Sequence, residues 1–444
     1  MKELVNFLRT LSHKIDSIVN ETSFEIVFVM GNSSCDMDSL LSSILLSYIR
    51  NIESKSITYT NQDEITYNNY SKVNTLHIPV VNCKKGELFW RLDTATLMKH
   101  IEIEEGDFFY FEEIWNPEGK CLFENYLKRS NNKEKPLSYR VIMVDHHELD
   151  SHQQFISPLV TEVIDHHDDT DFDYKAHFPN ITTHNTQFPR ASALGLVLEE
   201  FLAKEAFNEI RKKMLNNNNF IDMAIGALIV DSAAFLDKTY KSRWVDADLQ
   251  VAKQVLSHCW NSAFFEDDEF LEKRMDDKFY YDYLYDILSH CKFDEEKNLA
   301  LGYEAIFNKD AKNFIIPSKE GKEVSYMYSS LPVNIYKITK RFSEETIFDY
   351  FRKVCKEEGF DFLIFGCKVE DFNTCGLFFS PNGRFYKEGT LDTQFAVDLV
   401  DNLIKEAKFD DMKEYRKENE LYLFKSKKQI NRKKIVPLVE NYFK

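Results

Sequence analysis

The 444-residue sequence predicts an α/β protein: a doubly wound parallel sheet in the N-terminal part, followed by a smaller α+β C-terminal domain. Three observations carry this reading. From Phe24 to about Asp248, apolar runs of strand length alternate with helical stretches, the signature of βαβ units. Phe24–Met30 reads as a buried strand that leads through the polar loop Gly31–Ser39 into a helix over Leu40–Ile49. Two β-branched runs, Val141–Val144 and Val163–Ile164, each end in an aspartate and two histidines, Asp145-His146-His147 and Asp165-His166-His167. Such runs suit buried parallel strands, whose carboxyl ends are where open α/β sheets place their chemistry.

The remaining elements follow in order. Leu76–Val81 is a strand, placed at a sheet edge by Pro79, and Asp107–Phe111 is another. Arg190 to Leu198 opens a helix, and Phe220 to Ala234 is a second apolar helical run. Asn216–Asn219 reads as a surface loop between helices. The stretch Phe264–Lys297, dense in acid and tyrosine, reads as a helical connector. The domains are therefore 1–260, a connector at 261–298, and 299–444. In the last of these, strands at Asp361–Cys367 and Thr374–Ser380 mix with helices at Glu344–Cys355 and Gln394–Lys408.

Composition excludes several classes. A hydrophobic fraction of 43% and an aromatic fraction of 14% suit a globular chain that buries a sizeable core. No apolar stretch approaches the roughly 18 residues of a spanning helix, and charge interrupts the start too early for a secretory signal. Eight cysteines without a CxxC pair fit reduced thiols in a cytoplasmic protein. Cys35 reads either as an exposed, oxidisable thiol or as a small buried filler. A net charge of −17 argues against nucleic acid as a partner.

The histidine distribution is more specific. Five of twelve histidines fall between His146 and His167, beside Asp145, Asp150, Asp165, Asp168 and Asp169. Imidazoles and carboxylates together suit Mn, Mg and similar divalent ions. In the first loop, Asp38 reads as a helix cap or as a ligand. Asp36 beside it favours the ligand, because paired carboxylates repel without a cation. Asp231, inside an apolar run, reads as a distant salt bridge or as a further ligand. Lys425 to Lys434 holds six cationic residues in ten, which by itself describes a solvated surface.

Taken together, Gly31-Asn32, Asp36-x-Asp38-Ser39, Asp145-His146, Asp165-His166-His167 and Asp231 resemble the DHH phosphoesterase superfamily. Lys309-Asp310-x-Lys312-x-Phe314 and Asn431-Arg432-Lys433-Lys434-Ile435-Val436-Pro437 are similar to phrases of its type-2 C-terminal (DHHA2) domain. That branch contains family II pyrophosphatases, yeast-type exopolyphosphatases and prune-like proteins. Asn32 stands where the pyrophosphatases have His and the yeast-type exopolyphosphatases have Asn. Two departures accompany the match: Asp145-His146-His147 is nearer the pyrophosphatase phrase, and Arg190-Ala191-Ser192 replaces the usual Gly-Ser pair.

The resemblance implies an active site in a cleft between the two domains and a site of two divalent ions, Mg or Mn. Asp145 would bridge the ions. Asp36, with Asn32 as a weaker contributor, would bind the first, and Asp38, His166 and Asp231 the second. His167 would face the substrate phosphate, and Asp165 would orient the imidazoles. Lys312, Arg432 and Lys433 would bind substrate from the C-terminal domain, with Lys425, Lys427 and Lys428 reaching longer chains. The implied reaction is exopolyphosphatase hydrolysis releasing orthophosphate. The alternatives are a manganese-dependent pyrophosphatase, a prune-like nucleotide phosphodiesterase, and, from another class, a non-catalytic scaffold. Protein partners are not implied.

Overall fold

A computed structural model describes residues 2–21, 24–54, 57–59, 65–67, 74–116, 118, 120–121, 138–257, 277–318, 321, 323–369, 371–381, 383–387, 390–406, 415–418, 421–427 and 431–443. The chain divides into two compact units, Met1–Cys291 and Lys292–Lys444.

The first unit holds six parallel strands: β1 (Phe24–Met30), β2 (Asn74–Val81), β3 (Phe109–Tyr110), β4 (Ser138–Val144), β5 (Val160–Asp165) and β6 (Thr183–Thr186). Their spatial order is β3-β2-β1-β4-β5-β6, every pair parallel. The chain winds outward from β1 to β3, returns to β1's other side at β4, and winds outward again. The sheet is doubly wound, with its switch point between β1 and β4, where such folds open a ligand crevice.

Its longer helices include α1 (Lys2–Glu21), α2 (Met37–Glu53), α3 (Leu92–His100), α4 (Ala193–Ala203), α5 (Asn218–Ser232), α6 (Asp246–Leu256) and α7 (Asp277–Phe293). Helix α2 is buried along most of its length. Its small polar residues Ser39, Ser42, Ser43 and Ser47, all nearly inaccessible, let it pack closely between sheet and neighbouring helices.

The expected elements are present with local corrections. The strand carrying Pro79 is not at the edge, since it pairs with both β1 and β3. However, β3 reaches only Val80 and Val81, so the missing proline N–H is demanded by neither neighbour. Asp107–Phe111 yields only a two-residue strand, with Phe111 already starting a short helix. Asn218 and Asn219 belong to α5 rather than to a loop, because the Asn217 side chain accepts from the Phe220 N–H and caps that helix. The expected connector lies partly outside the described residues; its C-terminal part is α7, whose Tyr280, Tyr281, Leu284 and Leu288 join the first unit's core.

The second unit is built on a mixed sheet of β7 (Ala311–Pro317), β8 (Glu323–Ser330), β9 (Phe362–Val369), β10 (Phe372–Phe379), β11 (Tyr415–Glu418) and β12 (Leu421–Ser426), in the order β11-β12-β10-β9-β8-β7. Only β8 and β9 run parallel. Alternate residues face opposite layers. Phe362 and Ile364 pack with α9 (Thr393–Glu406) and α10 (Arg432–Phe443), whereas Leu363 and Phe365 pack with α8 (Glu344–Glu358). No helix among the described residues is long and apolar enough to cross a membrane.

Candidate metal centre

The loops after β1, β4 and β5 meet beside the switch point. The first begins with a forced close approach: a β-carbon on Gly31 would stand 2.6 Å from Ser39 Cβ and 2.8 Å from the Ser39 carbonyl oxygen, which only glycine avoids. Asn32 N–H donates to Ser39 Oγ at 3.1 Å, and Asp36 caps α2 by accepting from Ser39 N at 3.1 Å. Cys35 is buried and its sulfur accepts from Asn82 N, so it is the filler rather than the exposed thiol.

Asp145 ends β4 with φ +62°, a left-handed conformation costing on the order of 1 kcal/mol for a residue with a β-carbon. Its N–H donates to the Ile164 carbonyl at 2.9 Å. The carboxylate is 2% exposed, and Oδ2 accepts from Ser39 Oγ (2.5 Å) and Asn32 Nδ2 (2.8 Å). Oδ1 faces His166 Nε2 at 3.1 Å. His166 Nδ1 donates to the Arg190 carbonyl at 3.0 Å, and this fixes Nε2 toward Asp145 and toward Asp38 Oδ2, 3.7 Å away.

Asp165, fully buried, orients the neighbouring rings. Its Oδ1 accepts from His167 Nδ1 (2.8 Å) and the His166 N–H (2.7 Å), and its Oδ2 from His147 Nδ1 (2.5 Å). His167 Nδ1 also lies 3.9 Å from Asp145 Oδ1. One ligand atom from each of Asp145, Asp165, His166 and His167 lies within 4.8 Å of the others.

Electrostatics sort these groups. Burial, reinforced by the charges of Asp38 and Asp36, holds the Asp145 carboxyl well above the usual carboxylate range. Burial disfavours the His166 imidazolium, yet its bond to Asp145 and the charges of Asp145 and Asp38 hold its pKa well above the ordinary histidine value. Burial likewise opposes ionisation of Asp165, but its bonds to His147 and His167 bring it well below the carboxylate range. Carboxylates crowded this way repel unless a proton or a cation sits among them. A divalent ion fits this oxygen and nitrogen donor set.

Asp38 has a second attachment. Its Oδ1 accepts from Ser192 Oγ (2.6 Å) and Leu194 N (2.8 Å), and its Oδ2 from Ala193 N (2.8 Å). It therefore caps α4, where the helix end favours negative charge. The Asn32 Oδ1 accepts from Ser34 N and Oγ, and its amide nitrogen donates to Asp145. His146 Nδ1 turns back to the Val144 carbonyl. Asp231 lies in the last turn of α5, half-buried, ahead of three consecutive left-handed residues, Ala233–Phe235.

In the second unit, Arg432 at the start of α10 bonds Asp310 at 3.2 Å, and Asp310 immediately precedes β7, which carries Lys312. Lys433 lies in the same helical turn. Lys425 stands over the Tyr336 ring at 4.8 Å, and Lys428 lies outside the described residues. The sequence motifs contained Ser39, Ser192 and His147 but gave no site role to them or to the Arg190 carbonyl. A hydroxyl directly after Asp38 and another at a helix start were the available signals.

Residues 26–226 match the DHH family, N-terminal domain. The protein named Exopolyphosphatase PRUNE1 from Rattus norvegicus is 28% identical over 138 residues, 31% of this chain and 24% of that protein. The Bos taurus protein of that name is 25% identical over 146 residues, 33% and 25% of the respective chains. The match thus spans about a quarter of these relatives' length. The crystal structure of a Methanococcus jannaschii putative family II inorganic pyrophosphatase aligns with a TM-score of 0.50 at 17% identity, covering 94% of this chain and 99% of that one. That likeness is one of fold.

Proposed function

We propose, from a chain that carries a DHH-family N-terminal domain over residues 26–226, that it is a metal-dependent phosphoanhydride hydrolase acting on inorganic polyphosphate and releasing orthophosphate from chain ends. The observation that carries this reading is the buried Asp145 carboxylate, set at the switch point against Asp38, Asp36 and His166. So costly an arrangement is expected where a cation is to be held.

In this reading two divalent ions, Mg or Mn, supply the positive charge that phosphoryl transfer needs. Asp145, Asp36, Asp38 and His166 hold them, and Asp231 completes the set by family resemblance. Asn32 and Ser39 fix the Asp145 carboxylate, and Asp165 fixes His167, which faces the substrate. Lys312, Arg432 and Lys433, on a DHHA2-like second unit, neutralise the phosphates by family resemblance. Arg432 can offer two parallel N–H groups to one phosphate. Lys425, Lys427 and Lys428 extend the cationic track along a longer substrate. Seven free cysteines among the described residues fit a cytoplasmic setting.

Phosphate release from pyrophosphate, tetraphosphate and long polyphosphate, compared side by side with Mn and Mg, tests the proposal. Faster turnover of the longer chains is expected. Preference for pyrophosphate would make it a pyrophosphatase instead, and no release from any of the three would leave a non-catalytic scaffold.

A further inference from the structure

The segment Gln187–Leu194 holds two of the proposed ligands at once. The Arg190 carbonyl takes the His166 Nδ1 proton, and Ser192, Ala193 and Leu194 grip the Asp38 carboxylate. What fixes this segment is no part of the proposed ligand set. The Arg190 side chain is only 5% exposed, and its Nε donates to Asp248 Oδ1 at 2.7 Å. Its Nη2 donates to Glu199 Oε1 (2.6 Å) and its Nη1 to Gln187 Oε1 (2.7 Å). Asp248, fully buried, uses Oδ2 to accept from Ala191 N (3.0 Å) and Val245 N (2.9 Å) at the start of α6.

One carboxylate thus grips the arginine side chain and the next residue's N–H together. Those two bonds fix the rotation of the Arg190–Ala191 peptide plane, and so point the Arg190 carbonyl at His166. A buried ion pair is a poor way merely to anchor a loop, because desolvation of the charges offsets most of the attraction and an apolar side chain of similar volume would anchor as well. The property an apolar side chain lacks is direction.

We propose that the Arg190–Asp248 pair is a positioning device for the metal centre, setting His166 and Asp38 through the segment between them, and that α6 is thereby part of the functional site. This rests on the metal-binding reading given above. Neither residue touches substrate. They act through the carbonyl and amide groups they orient, as outer partners of ligands do at metal sites.

The test uses the full chain stripped of metal, with Mn binding measured by calorimetry and His166 ring signals followed by NMR. Arg190→Met and Asp248→Asn should each weaken Mn binding by about 10–100-fold, and Arg190→Lys should recover part of it, since one ammonium cannot reproduce the fork. Arg211→Met is the control: Arg211 donates to the Phe201 and Lys204 carbonyls at the C-terminal end of α4, so its loss lowers stability without touching the segment. Its Mn affinity should equal the parent's. Parental Mn affinity in folded Arg190→Met and Asp248→Asn, or equal weakening in Arg211→Met, would overturn the proposal. A parent chain that binds no Mn would sink the metal reading instead. The His166 signals would then decide the positioning claim, by moving in Arg190→Met and Asp248→Asn but not in Arg211→Met, or by failing to.

Discussion

Replacing Asp145 by asparagine isolates the carboxylate charge on which the site depends. Asparagine tolerates the left-handed backbone at this position, φ +62°, which alanine would strain. It also keeps an oxygen for the Ser39 hydroxyl. The folded-state pKa of Asp145 is raised, so its contribution to stability is complete below the ordinary carboxylate value and is lost as pH rises through the raised one. Ionising Asp145 is therefore a cost to the metal-free fold. The variant escapes repulsion from Asp38 and Asp36 and forfeits the pairing with His166 at 3.1 Å. These effects oppose each other, so metal-free stability should change by no more than about 2 kcal/mol. Metal linkage should change far more. Mn at a hundredfold excess over its dissociation constant stabilises the parent by about 2.7 kcal/mol, roughly 4–5 °C in melting temperature for a unit the size of Met1–Cys291. Asp145→Asn should erase that shift, and kcat should fall at least 10²–10³-fold, as on losing a principal electrostatic group. Thermal melts with and without Mn, beside a phosphate-release assay, read both effects. A variant that keeps the Mn-dependent shift, or unfolds without metal, refutes this reasoning.

Asn32→Ala removes the 2.8 Å donor to the buried Asp145 and should weaken Mn binding by about 10–100-fold in calorimetry, with a stability loss of about 1.5–3 kcal/mol in urea unfolding. Ser192→Ala deletes one of the donors on Asp38, a hydrogen bond to a charged group, and should cost about 1.5–3 kcal/mol in urea unfolding. Arg432→Ala should leave Mn affinity and stability nearly unchanged, since its pair with Asp310 is partly exposed. Yet it should lower kcat/KM by on the order of 2–5 kcal/mol in steady-state kinetics.

Much of this was legible in the sequence because it is local. Apolar runs ending in Asp-His-His mark the strands and where their chemistry lies, and the order of the runs implies the double winding. The unread parts depend on contacts between distant residues. Asp38 looks like the cap of its own helix, but Asp36 performs that task and Asp38 caps a helix 155 positions further on. The two Asp-His-His phrases look equivalent, yet Asp145 is left-handed and Asp165 is not, so His146 turns back to its own strand while His166 faces the carboxylates. Asn32 was read by residue type, whereas Ser34 decides which end of its amide faces Asp145. Arg190 was visible only as a departure from the family pattern, because its partner Asp248 is 58 residues away.

Anomalous diffraction at the manganese edge, from crystals of the full chain grown with Mn, tests the central claim most directly. Two peaks about 3.5–4 Å apart are expected, both within bonding distance of the Asp145 carboxylate and one also touching His166 Nε2. A fully occupied ion that avoids Asp145, or a cluster that stays without ions at saturating Mn, would contradict it.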